Sequence, residues 1–379
     1  MTQKKFRVGI VGLHPGRSWG AIAHLPALQL LSDSFEVVAV ANSSLTSSQA
    51  AAAATGIPHA FANAQELVAN PDIDIVTITV KVPHHLELVT AALSAGKHVY
   101  CEWPLGNGLA EAKTLAALAQ EKGVLGVIGT QARTAPEILY LRQLLAEGYI
   151  GDVLSSTVSG WGAGWGATTT DPETYGYLLD QANGATMLTI PFAHTLAAIG
   201  DVLGDITELS AILANRRTQA RVAGTDTWIP MNAHDQVMVQ GLVNHAVPLS
   251  VHYRGGMPQG TPGLNWEING TEGSLRITAP MGHAQMAQLT LEGCKLDASE
   301  MTALPVPTAF LAGLPAEAMP GNVARIYARM AHDLTYGTQL SPTFDDGVAL
   351  HSLIDTIEQA ASRGLRLPVH ASHRPLPLP

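Results

Sequence analysis

The sequence predicts an α/β chain: a doubly wound parallel domain followed by an α+β domain. Three observations carry this. Up to about residue 128, short β-branched runs alternate with helix-like stretches. The runs are apolar at nearly every position, as strands covered on both faces require. Beyond about Arg133, strand-like segments follow one another without intervening helices, which implies antiparallel pairing. Domains are therefore expected at 1–130 and 131–379, with the proline-bearing tail Leu365–Pro379 as a surface strap.

Phe6–Val11 is an apolar run closed by Gly12, a strand entering a turn. Ile22–Leu31 has helical spacing, Val37–Ala41 is a second strand, and the alanine-rich Ser47–Ala54 is helical. Ile73–Val80 is the strongest strand in the chain. Pro83 opens a helix through Leu93, since the first helical turn needs no amide donor. His98–Cys101 is a strand, Ala110–Gln120 a helix and Val124–Ile128 the last strand of this half. In the second half, Pro136–Glu147, Met187–Leu203, Val323–Leu334 and Asp345–Ala361 read as helices. Val153–Ser159, Leu209–Leu213, Asp235–Val243, Val247–Tyr253, Trp266–Gly270, Ser274–Ile277 and Ala287–Leu291 read as strands.

Of 379 residues, 46% are hydrophobic and only 14% charged, which supports a large core and excludes a disordered chain. The 21 basic and 31 acidic residues, net −10, argue against nucleic-acid binding by counterion release. Cys101 and Cys294 make neither a disulfide framework nor a zinc cluster, and no metal is expected despite 15 histidines. Val8–Leu13 is too short for a signal peptide's apolar core, and no run reaches the roughly 18–20 residues of a membrane span. A cytoplasmic protein with no membrane or nucleic-acid partner is expected.

Gly9–Gly20 follows the first strand and opens the first helix, the place of the phosphate-binding turn in a doubly wound sheet. Gly12, Gly16, Ser18 and Trp19 are the candidate dinucleotide contacts, with His14 standing where the regular G-x-G-x-x-G has glycine. The second strand ends at Asn42-Ser43, where an acid normally holds the ribose diol. An amide there suits NAD, and NADP stays open because an amide also tolerates a 2′-phosphate.

Val8–Gly12, His24-Leu-Pro-Ala-Leu28, Ile73–Val80, Ala95–Val99 and Glu102-Trp103-Pro104-Leu105 together resemble the glucose-fructose oxidoreductase / inositol dehydrogenase / rhizopine-catabolism (Gfo/Idh/MocA) family. Lys81–His85 and Glu102-Trp103-Pro104 are similar to a subgroup that includes a yeast galactose-regulon repressor. The resemblance implies an N-terminal Rossmann dinucleotide-binding domain, a large open, mainly antiparallel sheet in the second domain, and a homodimer or homotetramer. It also implies hydride chemistry on a sugar, glycoside or polyol. The family lysine that works near the substrate hydroxyl is replaced by Trp103, and the Asp expected four residues before His194 is absent.

Hydride transfer needs a group that takes the hydroxyl proton. Lys81, at the carboxyl end of the strongest strand, is placed to fill the role vacated at Trp103. His194 is the second candidate base, and Glu102 is expected at the ribose or nicotinamide, with His85 facing the same site. Arg133, Trp161, Trp165, Tyr175, Asp180 and His194 are the candidate substrate contacts. Three functions follow: an NAD(P)-dependent oxidoreductase, a redox-neutral glycosidase with tightly held NAD, and a non-catalytic dinucleotide-binding sensor.

Overall fold

The computed structural model describes residues 5–162, 164–257, 263–370 and 372–378. Met1–Lys4, Ala163 within the expected aromatic segment, and Ala371 and Pro379 of the expected strap lie outside them. The chain forms two compact units, one of Met1–Thr130 with Leu314–Val348, the other of Gln131–Gly313 with Ala349–Pro379. Leu314–Val348, placed in the second domain by the sequence expectation, thus packs with the first unit.

The first unit holds six strands: β1 (Phe6–Val11), β2 (Phe35–Ala41), β3 (His59–Phe61), β4 (Ile75–Ile78), β5 (His98–Glu102) and β6 (Gly126–Gly129). They pair in parallel in the order β3-β2-β1-β4-β5-β6. The order reverses direction at β1, so the ends of β1 and β4 flank the switch point where such sheets bind ligands. β4 and β6 are buried at every position, which is why both read as continuous apolar runs. β4 stops at Ile78, short of the Val80 expected from its sequence, because Pro83 sits in a 3₁₀ turn at Val82–His84.

The helix after the first turn begins with a π turn, Gly20–His24, and continues as Leu25–Leu30. Pro26 lacks an amide donor and its ring crowds the Ile22 carbonyl, so the turn before it widens and Leu25 N–H bonds Gly20 O. This wide turn carries His24 to full burial. The helix Ala318–Tyr336 belongs to the same unit and lays Val323, Ala324, Ile326, Tyr327 and Met330 into one core with Val8, Ile10 and Leu28.

The second unit is built on a nine-stranded mixed sheet. Its order runs Thr302–Ala303, Thr290–Lys295, Gly273–Ala279, Leu264–Gly270, Val153–Gly162, Val247–Gly255, Gln236–Val243, Ile206–Ala214 and Leu367–Pro368. Every pair is antiparallel except Val153–Gly162 with Val247–Gly255. The expected large, mainly antiparallel sheet is therefore present. Alternating burial along Gly273–Ala279 shows one covered face, the period-2 signature that marked these strands in the sequence. A smaller sheet joins Thr168–Thr169, Gln219–Val222 and Trp228–Pro230. The helix Ala193–Leu203 is entered through a second π turn, Leu188–Phe192, where Pro191 cannot donate to Met187 O and Phe192 N–H does so at 3.1 Å.

Candidate functional site

In the first unit, three elements converge at the carboxyl ends of β1, β2, β4 and β5. The turn after β1 has Gly12 at φ +100, and a Cβ there would lie 2.8 Å from Val80 Cγ1. Gly20 is as constrained, since its Cβ would meet Thr79 Oγ1 at 2.8 Å. Gly20 therefore gives the close helix–strand packing that the third glycine of a regular fingerprint provides. Gly16, at φ +73, has open space around it, so the left-handed backbone and not packing calls for glycine there. Ser18 Oγ accepts from His14 N–H at 2.8 Å and Ala21 N–H at 3.3 Å, so it braces the loop. Burial and Arg17 hold the His14 imidazole below its ordinary range. Trp19 packs edge-on to His24 with ring centroids 6.5 Å apart, and its buried Nε1 has no hydrogen-bond partner among the described residues.

At the end of β2, Asn42 is buried. Its Nδ2 donates to Leu13 O at 2.9 Å and Ser47 O at 3.2 Å, which fixes the amide's orientation between two carbonyls. Its Oδ1 is buried with no partner among the described residues, an acceptor at the position that holds a ribose hydroxyl in such sheets. Ser43 is exposed, and the helix that follows is capped by its neighbour Ser44. The Gly12 cradle, the indole Nε1 and this acceptor fit a dinucleotide with a free ribose diol.

Glu102 ends β5 with its side chain 13% exposed. Its Oε1 accepts from His24 Nε2 at 2.8 Å. His24 Nδ1 lies 2.9 Å from Tyr327 Oη, which lies 2.9 Å from Thr77 Oγ1 on β4. Tyr100 closes the ring cluster, its centroid 4.9 Å from His24 and 4.7 Å from Tyr327. Burial raises the Tyr327 phenol well above the ordinary tyrosine range, so it keeps its proton. Trp103 is buried and joined to Pro104 by a cis peptide. Lys81 is exposed at the exit of β4, where its carbonyl starts the 3₁₀ turn.

His85 does not present its ring to this site as expected. It is buried, with Nδ1 2.7 Å from Pro104 O and Nε2 3.0 Å from Val80 O. Its ring ties the exit of β4 to the loop after β5, because both nitrogens meet backbone carbonyls.

In the second unit, His194 is buried and its Nδ1 has no partner among the described residues. Burial, reinforced by His283, pushes its imidazole down to about 3. At that position the ring is neutral at neutral pH, a weak base for the role expected of it. His283, absent from the sequence reading, is likewise held at about 4 by burial.

Two expected substrate contacts prove structural. Arg133 is buried and donates from Nε and Nη2 to Asp201 Oδ2 and Oδ1, both at 3.0 Å, and from Nη2 to Arg374 O. Its fork anchors the C-terminal strap, where His373 Nε2 and Leu376 N also bond Asp201. Burial alone would raise the Asp201 carboxyl, but the Arg133 charge and the His373 bond hold it below the usual range. Trp165 is also core: its Nε1 donates to Ala185 O at 3.0 Å, and its ring stacks on His283 at 5.9 Å. Trp161 is half-buried at the end of Val153–Gly162, and Tyr175 is exposed. Asp180 is exposed, and Asn232 and Ala182 N–H hold its carboxyl below the usual range. No group of three or more His, Cys, Asp or Glu able to hold a metal occurs among the described residues. No helix among them is long and apolar enough to cross a membrane.

His24, Thr77 and Tyr327 went unread as site residues. His24 stands in the quoted stretch His24–Leu28, but nothing local ties it to Glu102, 78 positions on, or to Tyr327, 303 positions on.

Residues 6–130 match the model of an oxidoreductase family with an NAD-binding Rossmann fold, and residues 136–279 match the Gal80p C-terminal domain. The chain is 31% identical over 308 residues to the galactose/lactose metabolism regulatory protein GAL80 of Kluyveromyces lactis, covering 76% of this chain and 67% of the relative. It is 29% identical over 374 residues to the dehydrogenase aclE of Aspergillus oryzae, covering 95% of this chain and 97% of that one. Among solved structures, a super-repressor mutant of Gal80p from Saccharomyces cerevisiae superposes with a TM-score of 0.87 at 26% identity, covering 98% of this chain and 100% of that chain. These relatives correct one expectation. A sugar or glycoside and further copies of the chain were expected as its partners, yet two of these proteins are named as a regulatory protein and a repressor.

Proposed function

Because the chain belongs to the Gfo/Idh/MocA oxidoreductase family, on the branch with a Gal80p-like C-terminal domain, we propose that it is an NAD(H)-dependent oxidoreductase. The carrying observation is Glu102, set at the carboxyl end of β5 by the buried His24. In a doubly wound sheet that edge faces the cofactor. NAD(H), when bound, supplies the hydride acceptor or donor. The Gly12–Trp19 turn would take the pyrophosphate, Asn42 Oδ1 a ribose hydroxyl, and Glu102 the nicotinamide end. The Asn42 geometry favours NAD over NADP. Its donor group is already committed to Leu13 O and Ser47 O, and the remaining acceptor would face a 2′-phosphate with no hydrogen to offer. Lys81, at the exit of β4, takes or returns the proton of the substrate hydroxyl in place of the lysine that Trp103 replaces.

A second reading is favoured by two observations. Trp103, in the place of the family lysine, is buried, and burial holds the His194 imidazole far below its ordinary range. A protein holding NAD(H) without turnover, in a regulatory role like that of its named relatives, would show both.

The test offers the purified protein NAD or NADP with a panel of hydroxylated substrates, glycosides among them. Absorbance of the reduced cofactor and release of aglycone are both followed. NAD reduction without NADP reduction is expected. Lys81→Ala is expected to keep NADH binding and lose turnover by about 100-fold. Aglycone release without net NADH would replace net oxidation by redox-neutral cleavage. NADH binding with no turnover on any substrate would favour the regulatory reading.

A further inference from the structure

We propose that His24 and Tyr327 are positioning residues that set the affinity for NADH by holding Glu102, so that the segment Leu314–Val348 contributes to the dinucleotide site from more than 200 positions away in the chain. The inference rests on the dinucleotide reading above and goes beyond it. None of these two residues, nor Thr77, lies in the glycine turn or the strand ends that sequence motifs mark.

The hydrogen bonds form one continuous run. Glu102 is a carboxylate and can only accept, so His24 donates through Nε2–H at 2.8 Å. His24 Nδ1 lies 2.9 Å from Tyr327 Oη, which lies 2.9 Å from the Thr77 hydroxyl. The run is continuous from Thr77 to Glu102, and both rings are fully buried. Buried polar groups are costly unless satisfied, so a chain this deep in the core is held only while every member keeps its partner. Its one outlet towards solvent is the Glu102 carboxylate at the carboxyl edge of the sheet.

The geometry also says why the segment matters. Tyr327 packs its ring against Tyr100 on β5 and against Phe35 on β2, centroids 4.7 and 5.5 Å away. It thus fixes His24 by contact as well as by hydrogen bond, and β5 carries Glu102 only two residues beyond Tyr100.

The experiment measures NADH affinity by fluorescence for the full chain and for His24→Phe, His24→Gln, Tyr327→Phe, Glu102→Gln and the His24→Phe/Glu102→Gln pair. Glutamine keeps a donor for Glu102, and phenylalanine does not. His24→Phe is expected to weaken binding about 10-fold and Tyr327→Phe about 3-fold, with His24→Gln within about 3-fold of the parent. Residues acting through one group are non-additive, so the pair is expected to bind no more weakly than Glu102→Gln alone. A merely structural role would weaken binding in the glutamine variant too, and the effects in the pair would multiply. Either outcome overturns the proposal, as does NADH binding by His24→Phe within twofold of the parent. If His24→Phe does not fold, Tyr327→Phe in the Glu102→Gln background gives the same decision. Failure of the parent protein to bind NADH overturns the dinucleotide reading, and the relay's role with it. Parent-level binding in the variants overturns the relay alone.

Discussion

His24 lies at the end of the π turn Gly20–His24, and His194 lies two residues past the π turn Leu188–Phe192. Each turn is widened at a proline, Pro26 or Pro191, and each histidine ends up buried. From there the two regions diverge. Both nitrogens of His24 have partners, a carboxylate on one side and a phenol on the other. His194 has an unpartnered Nδ1 among the described residues and an imidazole pushed down to about 3. The difference shows that burial alone does not make a histidine useful for proton transfer. Partnered, a buried ring becomes a rigid strut that places another group. Without a partner at Nδ1, it becomes a neutral, weakly basic ring. Asp201, seven residues past His194 on the same helix, shows that partnering is a property of the site and not of the unit, since it collects donors from Arg133, His373 and Leu376.

If partnering is what matters, the largest loss follows from stripping the best-partnered group. Arg133→Met leaves Asp201 buried with its main countercharge gone, and is expected to cost about 3–5 kcal/mol in chemical denaturation. A cost below about 1 kcal/mol would break the contrast. Next come the two histidines under one matched change. His24→Leu leaves the buried Tyr327 hydroxyl with Thr77 alone and removes a donor from Glu102, at an expected cost of about 1–3 kcal/mol. His194→Leu removes a ring whose Nδ1 is already unsatisfied, and is expected to lie within about 1 kcal/mol of the parent in either direction. Equal costs at the two positions would show that their surroundings are alike after all.

The same contrast reaches into pH. The His194 ring stays neutral in the fold, whereas in the unfolded chain it protonates near its ordinary 6.5. As pH falls, the unfolded chain takes up the proton first. The stability present above about 6.5 is therefore lost progressively towards about 3. Comparing denaturation midpoints at pH 7 and 4, His194→Leu should lose less stability than the parent does. An unchanged acid slope would show that His194 is not the group responsible.

The local pattern was informative wherever a local rule applies. The apolar runs of β1 and β4, the glycine turn and the residue ending β2 follow from strand burial and from the backbone freedom that a tight turn demands. Asn42 stands at the end of β2 as its sequence position implies, but the orientation that leaves its buried Oδ1 as the open acceptor depends on the Leu13 and Ser47 carbonyls. Arg133 and Trp165 were misread for a common reason. Arginine forks and indole rings serve ligands and cores equally well, and nothing adjacent in the chain shows Asp201 or His283 waiting for them. Lys81 stands at the strand exit, as its sequence position implied.

Element type, strand order class and the position of the turn that takes a dinucleotide are written in short stretches of chain, because periodicity, proline and glycine act over a few residues. The state of each buried polar group is not. Whether a histidine is a strut or a neutral ring, and whether an arginine meets a ligand or a strap, depends on which distant side chain packing brings within about 3 Å, the range over which a hydrogen bond acts.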